Sequence, residues 1–403
     1  MASTMNNRRD ASQALAPVRE HPRVPLPVAK RDKRPLMVTT YACEPFSEME
    51  PHALGLTYWF DAAAEGEPYA VTVRFTGRRA GVTGLPGPND SFDVTEIVKH
   101  VVPGSGRLAI TVRVLGIAPG EWQVTAMPVN DPRSRVGAKK PTSAQPPRLP
   151  SASSSGATGF APFIQVCAPG VRLGAWPALV GLGAVAGLVT QAALAMHSHL
   201  PVAMVLLVSL AASLVGLVGA KIYYLAEQYL TGHRGDQRPA VLAAGMCIQG
   251  FVAGTVGTLI LEALIFGLPF GRVLDVTAPG MFLAMTIGRF GCFFGGCCAG
   301  RPTSSRWGLW SSDRRLGARR IPTQLLESAA ALSIALSAFL AVWNATPHPS
   351  GVVFVGATAS YTLARQLLFP LRDNPRNTAH GRILTMALAA LIVVVDVAVA
   401  VLT

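Results

Sequence analysis

The sequence predicts an all-α polytopic membrane protein of about seven transmembrane helices, with an N-terminal all-β sandwich domain. Three observations carry this expectation. Half of the 403 residues are hydrophobic and only 14% are charged, whereas a soluble chain averages about a quarter charged. Most of the charge precedes residue 150, and long apolar runs fill the rest. Ahead of those runs the pattern has period two, with β-branched and aromatic residues between Gly, Pro, Asn and Asp.

In chain order, residues 1–34 read as a disordered basic tail with Arg8, Arg9, Arg19, Arg23, Lys30, Arg31, Lys33 and Arg34 among Pro and Ala. They contain no apolar core of a secretory signal. Residues 35–130 read as the sandwich, an accessory domain with no catalytic constellation. Its strands are signalled by Tyr69-Ala-Val-Thr-Val-Arg-Phe75 and Leu108-Ala-Ile-Thr-Val-Arg-Val-Leu115. Residues 131–170, rich in Pro, Ser and Gly, read as a linker, most clearly at Ser151-Ala-Ser-Ser-Ser-Gly156. Residues 171–403 hold seven apolar stretches near the 20 or so residues a span requires: 173–197, 201–225, 240–266, 274–294, 324–343, 351–371 and 383–402.

The net charge of +13 raises nucleic acid as a partner. No reading module accompanies it, and basic residues beside spans meet headgroups or set topology, so no nucleic-acid partner is expected. The six cysteines, Cys43, Cys167, Cys247, Cys292, Cys297 and Cys298, do not make the dense framework of a small secreted domain.

Charges at membrane depth are costly and therefore functional suspects. Lys221, Glu262, Arg289 and Arg365 qualify, with Glu327 and Arg372 near span ends. Lys221 reads equally as a snorkelling interface residue, and Glu262 as half of a structural pair. Arg289 sits inside Gly288-Arg-Phe-Gly291. Arg365 and Arg372 are seven residues apart, two helical turns, which puts both on one face of a continuous helix. Gly288, Gly291, Gly295, Gly296 and Gly300 allow close approach of backbone or of a bound headgroup, and serve tight helix packing equally well. With Arg301, Arg306, Arg314, Arg315, Arg319 and Arg320 following, the pattern describes a cationic mouth over an Arg-bearing cavity. The ligand it implies is an anionic phospholipid.

These residues resemble the prolipoprotein diacylglyceryl transferase family. The resemblance covers about 173–403 and rests on several segments in family order. Ile287-Gly-Arg-Phe-Gly-Cys-Phe-Phe-Gly-Gly-Cys-Cys-Ala-Gly-Arg-Pro-Thr303 is similar to the family's central segment. Ile321-Pro-Thr-Gln-Leu-Leu-Glu327 resembles its His-Pro-Ser-Gln-Leu-Tyr-Glu. Gly219-Ala-Lys-Ile-Tyr-Tyr224 and Arg365-Gln-Leu-Leu-Phe-Pro-Leu-Arg372 match further helices. The resemblance implies a bacterial cytoplasmic-membrane enzyme that moves a diacylglyceryl group from phosphatidylglycerol to the lipobox cysteine of a preprolipoprotein, with no cofactor or metal. It implies Arg289 and Arg365 as phosphate-binding catalytic residues, with Gln249, Cys292 and Cys297 at the remaining catalytic positions. Tyr223, Gly250, Gly288, Gly291, Gly296, Gly300, Gln324, Glu327 and Arg372 fall at substrate-binding positions.

The departures fall on the acid–base groups. Gln249 stands where the family has the His of a His-Gly-Gly segment, and an amide does not take up the proton. Cys292 and Gly295 replace the two Asn of Gly-Arg-x-Gly-Asn-x-x-Asn-Gly-Glu, Cys297 replaces its Glu, and Ile321 replaces a His. Neighbouring arginines could make Cys292 or Cys297 a base or nucleophile. Packing, a Cys292–Cys297 disulfide, or metal and redox chemistry remain open for the three clustered thiols. A non-catalytic lipid-binding paralogue and a thiol-redox or metal-binding membrane protein are therefore kept as alternatives. Loop charge by itself places the N-terminus in the cytoplasm; the resemblance implies the reverse, and the second orientation is preferred.

Overall fold

The computed structural model describes residues 34–39, 49–83, 87–129, 149–230, 248–345, 349–373 and 380–402, with the backbone alone at 228, 230, 248, 249, 400 and 401. The basic tail expected over 1–34 lies outside them, apart from Arg34.

Among the described residues, eight strands and one short helix precede the long helices: β1 (Leu36–Thr39), β2 (His52–Asp61), β3 (Tyr69–Arg79), β4 (Ser91–Val101), β5 (Arg107–Leu115), β6 (Glu121–Val129), β7 (Ala152–Ala157), β8 (Gly159–Phe160) and α1 (Ala161–Val166). One sheet runs β4-β3-β6-β7. Alternation along the strands turns Val73, Phe75, Trp122 and Val124 inward against Leu54, Leu56, Tyr58, Leu108 and Ile110 of the facing sheet.

The linker expected over 131–170 is corrected by β7, because residues 152–157 are a full strand paired with β6 from Glu121↔Ala157 to Ala126↔Ala152. A Cβ on Gly156 would lie 2.7 Å from Val38 Cβ of β1, so glycine is the residue that fits there. Residues 130–148 lie outside the described segments.

Among the described residues, six helices are long and apolar enough to cross a membrane. They are α2 (Ala175–His197), α3 (Val202–Leu230), α5 (Phe270–Gly295), α6 (Thr323–Asn344), α7 (Val352–Leu368, continued by a 3-10 turn, Phe369–Leu371) and α8 (Gly381–Leu402). Between them, α4 (Ile248–Phe266) is shorter, and 240–247 of the third expected span lie outside the described residues. On α2 the large side chains Leu182, Val185 and Val189 face outward, while Gly183, Gly187 and Gln191 are buried. That inside-out arrangement suits lipid, where small residues let helices approach and polar groups join them. Gly187 and Gly280 bring α2 and α5 into backbone contact. Gln191 Nε2 donates to Ser209 Oγ and Thr277 Oγ1, each at 2.7 Å, which links α2, α3 and α5. Asp275, an intramembrane charge that the sequence reading passed over, accepts from Gly351 N at 2.6 Å and Phe354 N at 3.1 Å. It thereby caps the positive end of α7.

The boundary between sandwich and membrane domain is also corrected. Between α5 and α6 the chain forms a hairpin of β9 (Leu309–Ser312) and β10 (Leu316–Arg320). β10 pairs with β5 through Leu316↔Ile110 and Gly317↔Ala109, giving the order β1-β2-β5-β10-β9 with β8 beside β2. The sandwich therefore continues into the membrane domain's own loop and covers one edge of that hairpin. Ala318 joins the sandwich core, and Trp310 stacks on Trp59 with ring centroids 5.7 Å apart.

Arg113 fastens the joint. Its guanidinium donates to the carbonyls of Ile164 (3.1 Å), Cys167 (2.9 Å) and Arg314 (2.7 Å). Burial, then the nearby Arg314 charge, lower its pKa. Arg113→Ala leaves three carbonyls without their donor and is expected to cost about 2–3 kcal/mol. Denaturation in detergent, with protease cleavage within 309–320 as a local readout, checks this; an unchanged midpoint and intact hairpin would show the joint is held elsewhere.

Candidate active site

Arg289 lies two turns before the end of α5. Its Nε is 3.0 Å from Glu327 Oε2, and its Nη2 donates to the Tyr361 hydroxyl at 3.1 Å. The Glu327 contact is an ion pair without aligned hydrogen-bond geometry. The other Glu327 oxygen, Oε1, accepts from Arg372 Nη1 at 3.3 Å. One carboxylate, 1% exposed, is thus held between two guanidiniums from different elements.

Arg372 is corrected in its placement. Pro370 ends α7 in the 3-10 turn, so Arg372 is not two helical turns along the face of Arg365. It instead pairs as a β-bridge with Gly300, and Arg301 N donates to Leu371 O at 2.8 Å. A Cβ on Gly300 would collide with Ile321 O, so this close approach requires glycine. Arg372 Nε and Thr323 Oγ1 are buried without a hydrogen-bond partner among the described residues.

Arg365 is one turn beyond Tyr361 on α7, on the same face. It is half-buried, and among the described residues it makes no hydrogen bond or ion pair. Tyr361, absent from the sequence reading, holds Arg289 and stands one turn from Arg365. Its signal was a Tyr four residues before a membrane Arg.

The cationic mouth proves largely paired. Arg320 is fully buried; it donates to Gly300 O at 2.9 Å and to Asp313 and Asp373, both at 2.7 Å. Arg314 Nε donates to Gly295 O at 2.8 Å, and Arg301 Nε to Arg372 O at 3.2 Å. These arginines fasten the loop over the helix ends.

At that loop the end of α5 folds back. Gly296 takes φ +66°, and Cys297 N donates to Cys292 O at 3.0 Å. The turn brings Cys292 and Cys297 together, and Cys298 joins them with φ +54°. A non-glycine residue in that region costs about 1–3 kcal/mol and is concentrated at functional sites. The three sulfurs lie within 4.8 Å of one another and are free thiols rather than the Cys292–Cys297 disulfide held open above. Hydrogen bonds from Cys292 and Cys297 lower the Cys298 pKa; burial opposes this, and the Arg372 and Arg289 charges support it.

Gln324 is placed as support, because its Nε2 donates to Cys297 O at 3.0 Å and steadies this turn. Beside it, Gly296, Cys297, Cys298, Ala299, Asp313, Arg314 and Asp373 line a cleft of about 360 Å³.

Several expected substrate positions are packing positions. Gly250 meets Gly219 O and the Tyr223 side chain where α4 crosses α3, and Gly291 meets the Trp176 backbone of α2. Tyr223 is exposed on that α3–α4 pair. Gly288 has nothing nearer than 4.0 Å, so the space beside Arg289 stays open there. Gln249 opens α4, and its side chain lies outside the described residues.

Residues 165–403, more than half of the chain, match the family model for prolipoprotein diacylglyceryl transferase. The chain belongs to that family. Among curated relatives, the phosphatidylglycerol–prolipoprotein diacylglyceryl transferase of Clostridium tetani is 27% identical over 164 residues, 40% of this chain and 65% of that protein. The second such transferase of Streptomyces coelicolor is 34% identical over 179 residues, 41% of this chain and 55% of that protein. That of Chloroflexus aggregans is 35% identical over 99 residues, 24% of this chain and 32% of that protein. The chain thus spans from about a third to just under two thirds of the length of these relatives. Within this prolipoprotein diacylglyceryl transferase family member, the matched region contains the whole Arg289–Glu327–Arg372 set and the three thiols.

Removing one member of a buried charge set leaves the others uncompensated. Glu327→Ala is expected to destabilise the membrane domain by about 3–5 kcal/mol, and Glu327→Gln by less. Unfolding in mixed micelles measures both; a loss below about 1 kcal/mol for the alanine variant would mean that Arg289 and Arg372 find other partners.

Proposed function

We propose that this chain transfers a diacylglyceryl group from phosphatidylglycerol to the lipobox cysteine thiol of a preprolipoprotein at the bacterial cytoplasmic membrane. The observation that carries the reading is Arg289, held by Glu327 and Tyr361 on a helix apolar enough to cross a membrane, with Arg365, which pairs with no group among the described residues, one turn from Tyr361. An unpaired guanidinium in such a place fits an anionic headgroup better than an apolar bundle. In the reaction the acceptor sulfur attacks a glycerol carbon. A C–S bond forms, the C–O bond to phosphate breaks, and its electron pair leaves on the phosphate oxygen. Arg289 and Arg365 stabilise that growing charge, and glycerol phosphate departs.

Topology supports the same reading. The hairpin β9–β10 pairs with the N-terminal sandwich, so an even number of crossings separates them. α2, α3 and α5 supply three, and α4 is the fourth. Its 19 residues measure about 28 Å at 1.5 Å per residue, close to the 30 Å or so of a bilayer's hydrocarbon. With α6, α7 and α8 the count is seven. We place the sandwich and cleft on the outer side. Arg301, Arg314 and Arg320 are fastened to carbonyls and carboxylates, so they carry less weight in the loop-charge count.

Gln249 favours a second reading, a non-catalytic binder of anionic lipid, because the family base is missing there. A transfer assay separates the two. Full-length protein in phosphatidylglycerol liposomes is given a lipobox peptide, and the peptide's mass is followed. A diacylglyceryl gain abolished by Arg289→Ala is expected; Tyr361→Phe, which loses one hydrogen bond to Arg289, is expected to reduce the rate about five- to tenfold. No gain from protein that still binds phosphatidylglycerol would favour the binder.

A further inference from the structure

We propose that Cys292, Cys297 and Cys298 hold a zinc ion whose fourth position faces the cleft and takes the acceptor thiol of the peptide as a thiolate. This rests on the transferase reading and supplies the step that Gln249 does not perform.

Geometry comes first. The three sulfurs lie within 4.8 Å of one another. Three thiolates on one zinc at about 2.3 Å stand roughly 3.8 Å apart in a tetrahedral arrangement. The observed set therefore closes on an ion by moving about 1 Å at most, through side-chain rotation. Among the described residues no His, Asp or Glu completes the cluster. Three protein ligands with a fourth position open to substrate is the arrangement of catalytic rather than structural zinc. An all-thiolate set also selects soft ions and disfavours magnesium or calcium.

The backbone supports a built site. The cluster depends on the Gly296 turn, the strained Cys298 and the Gln324 bond to Cys297 O. Mere packing of small apolar groups requires none of these. The charge balance also suits an ion: zinc with three thiolates carries one negative charge, and Arg289 and Arg372 lie beside it.

Placement then decides the role. Cys297 and Cys298 line the cleft, whose rim carries the part-exposed Asp373. Cys292 is three residues beyond Arg289 on α5, so the two share a face about 4.5 Å apart along the axis. An acceptor sulfur held by the ion therefore reaches the glycerol carbon of a lipid whose phosphate rests on Arg289 and Arg365.

The chemistry balances. A free thiol titrates near 8.5 and is only a few per cent thiolate at neutral pH. Coordination to zinc deprotonates it. The proton leaves through the cleft to water. The coordinated sulfur forms the C–S bond as the C–O bond breaks, and the electron pair leaves with glycerol phosphate. The product is a neutral thioether, a weaker ligand than a thiolate, so it gives up the fourth position to the next peptide.

The test uses the purified full chain in phosphatidylglycerol liposomes. Elemental analysis is expected to give one zinc per chain, falling at least fivefold in Cys297→Ser and Cys298→Ser. Cobalt exchanged for zinc is expected to show sulfur-to-cobalt charge transfer. That band should intensify with the lipobox peptide, release one proton, and stay unchanged with the Cys→Ser peptide. The metal count on the wild-type chain requires no variant, so misfolding of a variant does not obscure it. Wild-type chain without bound zinc, or metal-stripped protein that transfers at full rate, would overturn the zinc proposal and leave the transferase reading standing. Thiol ligation to the cobalt form without any diacylglyceryl gain would uphold the site and overturn the transferase reading.

Discussion

A buried carboxylate shared by two guanidiniums is the constraint around which the site is built. Glu327 receives Arg289 from α5 and Arg372 from the segment after α7, so one buried anion joins three parts of the chain. Desolvating these charges is expensive, and their mutual attraction offsets the cost only with good geometry. The arrangement therefore enforces the register of α5, α6 and α7. It also leaves net positive charge, because two arginines share one acid and, among the described residues, Arg365 pairs with no acid. That surplus is what an anionic headgroup would neutralise.

The same economy governs the mouth. A loop bearing many arginines would repel itself over a bare helix bundle. Here Arg320 is fully buried between Asp313, Asp373 and the Gly300 carbonyl, and Arg314 caps the end of α5. The sandwich extends this scaffold. It adds strand β5 to the hairpin and sends Arg113 to the Arg314 carbonyl, which is one residue from the α5 cap in bonding terms. The sandwich thus joins the segment that caps α5 through hydrogen bonds. The N-terminal domain is in that sense part of the mouth.

Family membership sharpens what is unusual here. The resemblance puts polar and ionisable groups at positions where this chain has Gln249, Cys292, Gly295 and Cys297. Arg289 and Arg365 are retained, and of the exchanged positions Cys292 and Cys297 now carry sulfur. On the proposed reading, three sulfurs beside a cleft offer a different solution to the same requirement: a thiol must lose its proton before it can attack carbon.

The sequence by itself determined the membrane class, the β-rich N-terminal region and the family, and it singled out Arg289 as a candidate site residue. Each follows from a local pattern: apolar length for spans, period two for strands, and an Arg among glycines at a depth where charge is costly. Only the tertiary structure decided that Ala152–Ala157 is a strand, since serine-rich sequence carries no β signal and the need for glycine at 156 shows only against Val38. Pro370 separated Arg372 from the face of Arg365, and the partner that matters, Glu327, lies 45 residues away in sequence. Tyr361, the Gln324 bond to Cys297 and the convergence of Cys298 on its neighbours were equally hidden, because they depend on helix packing and on one left-handed turn. Periodicity reports which face of an element is buried; which charged groups share a buried acid is fixed by the crossing of elements far apart in the chain.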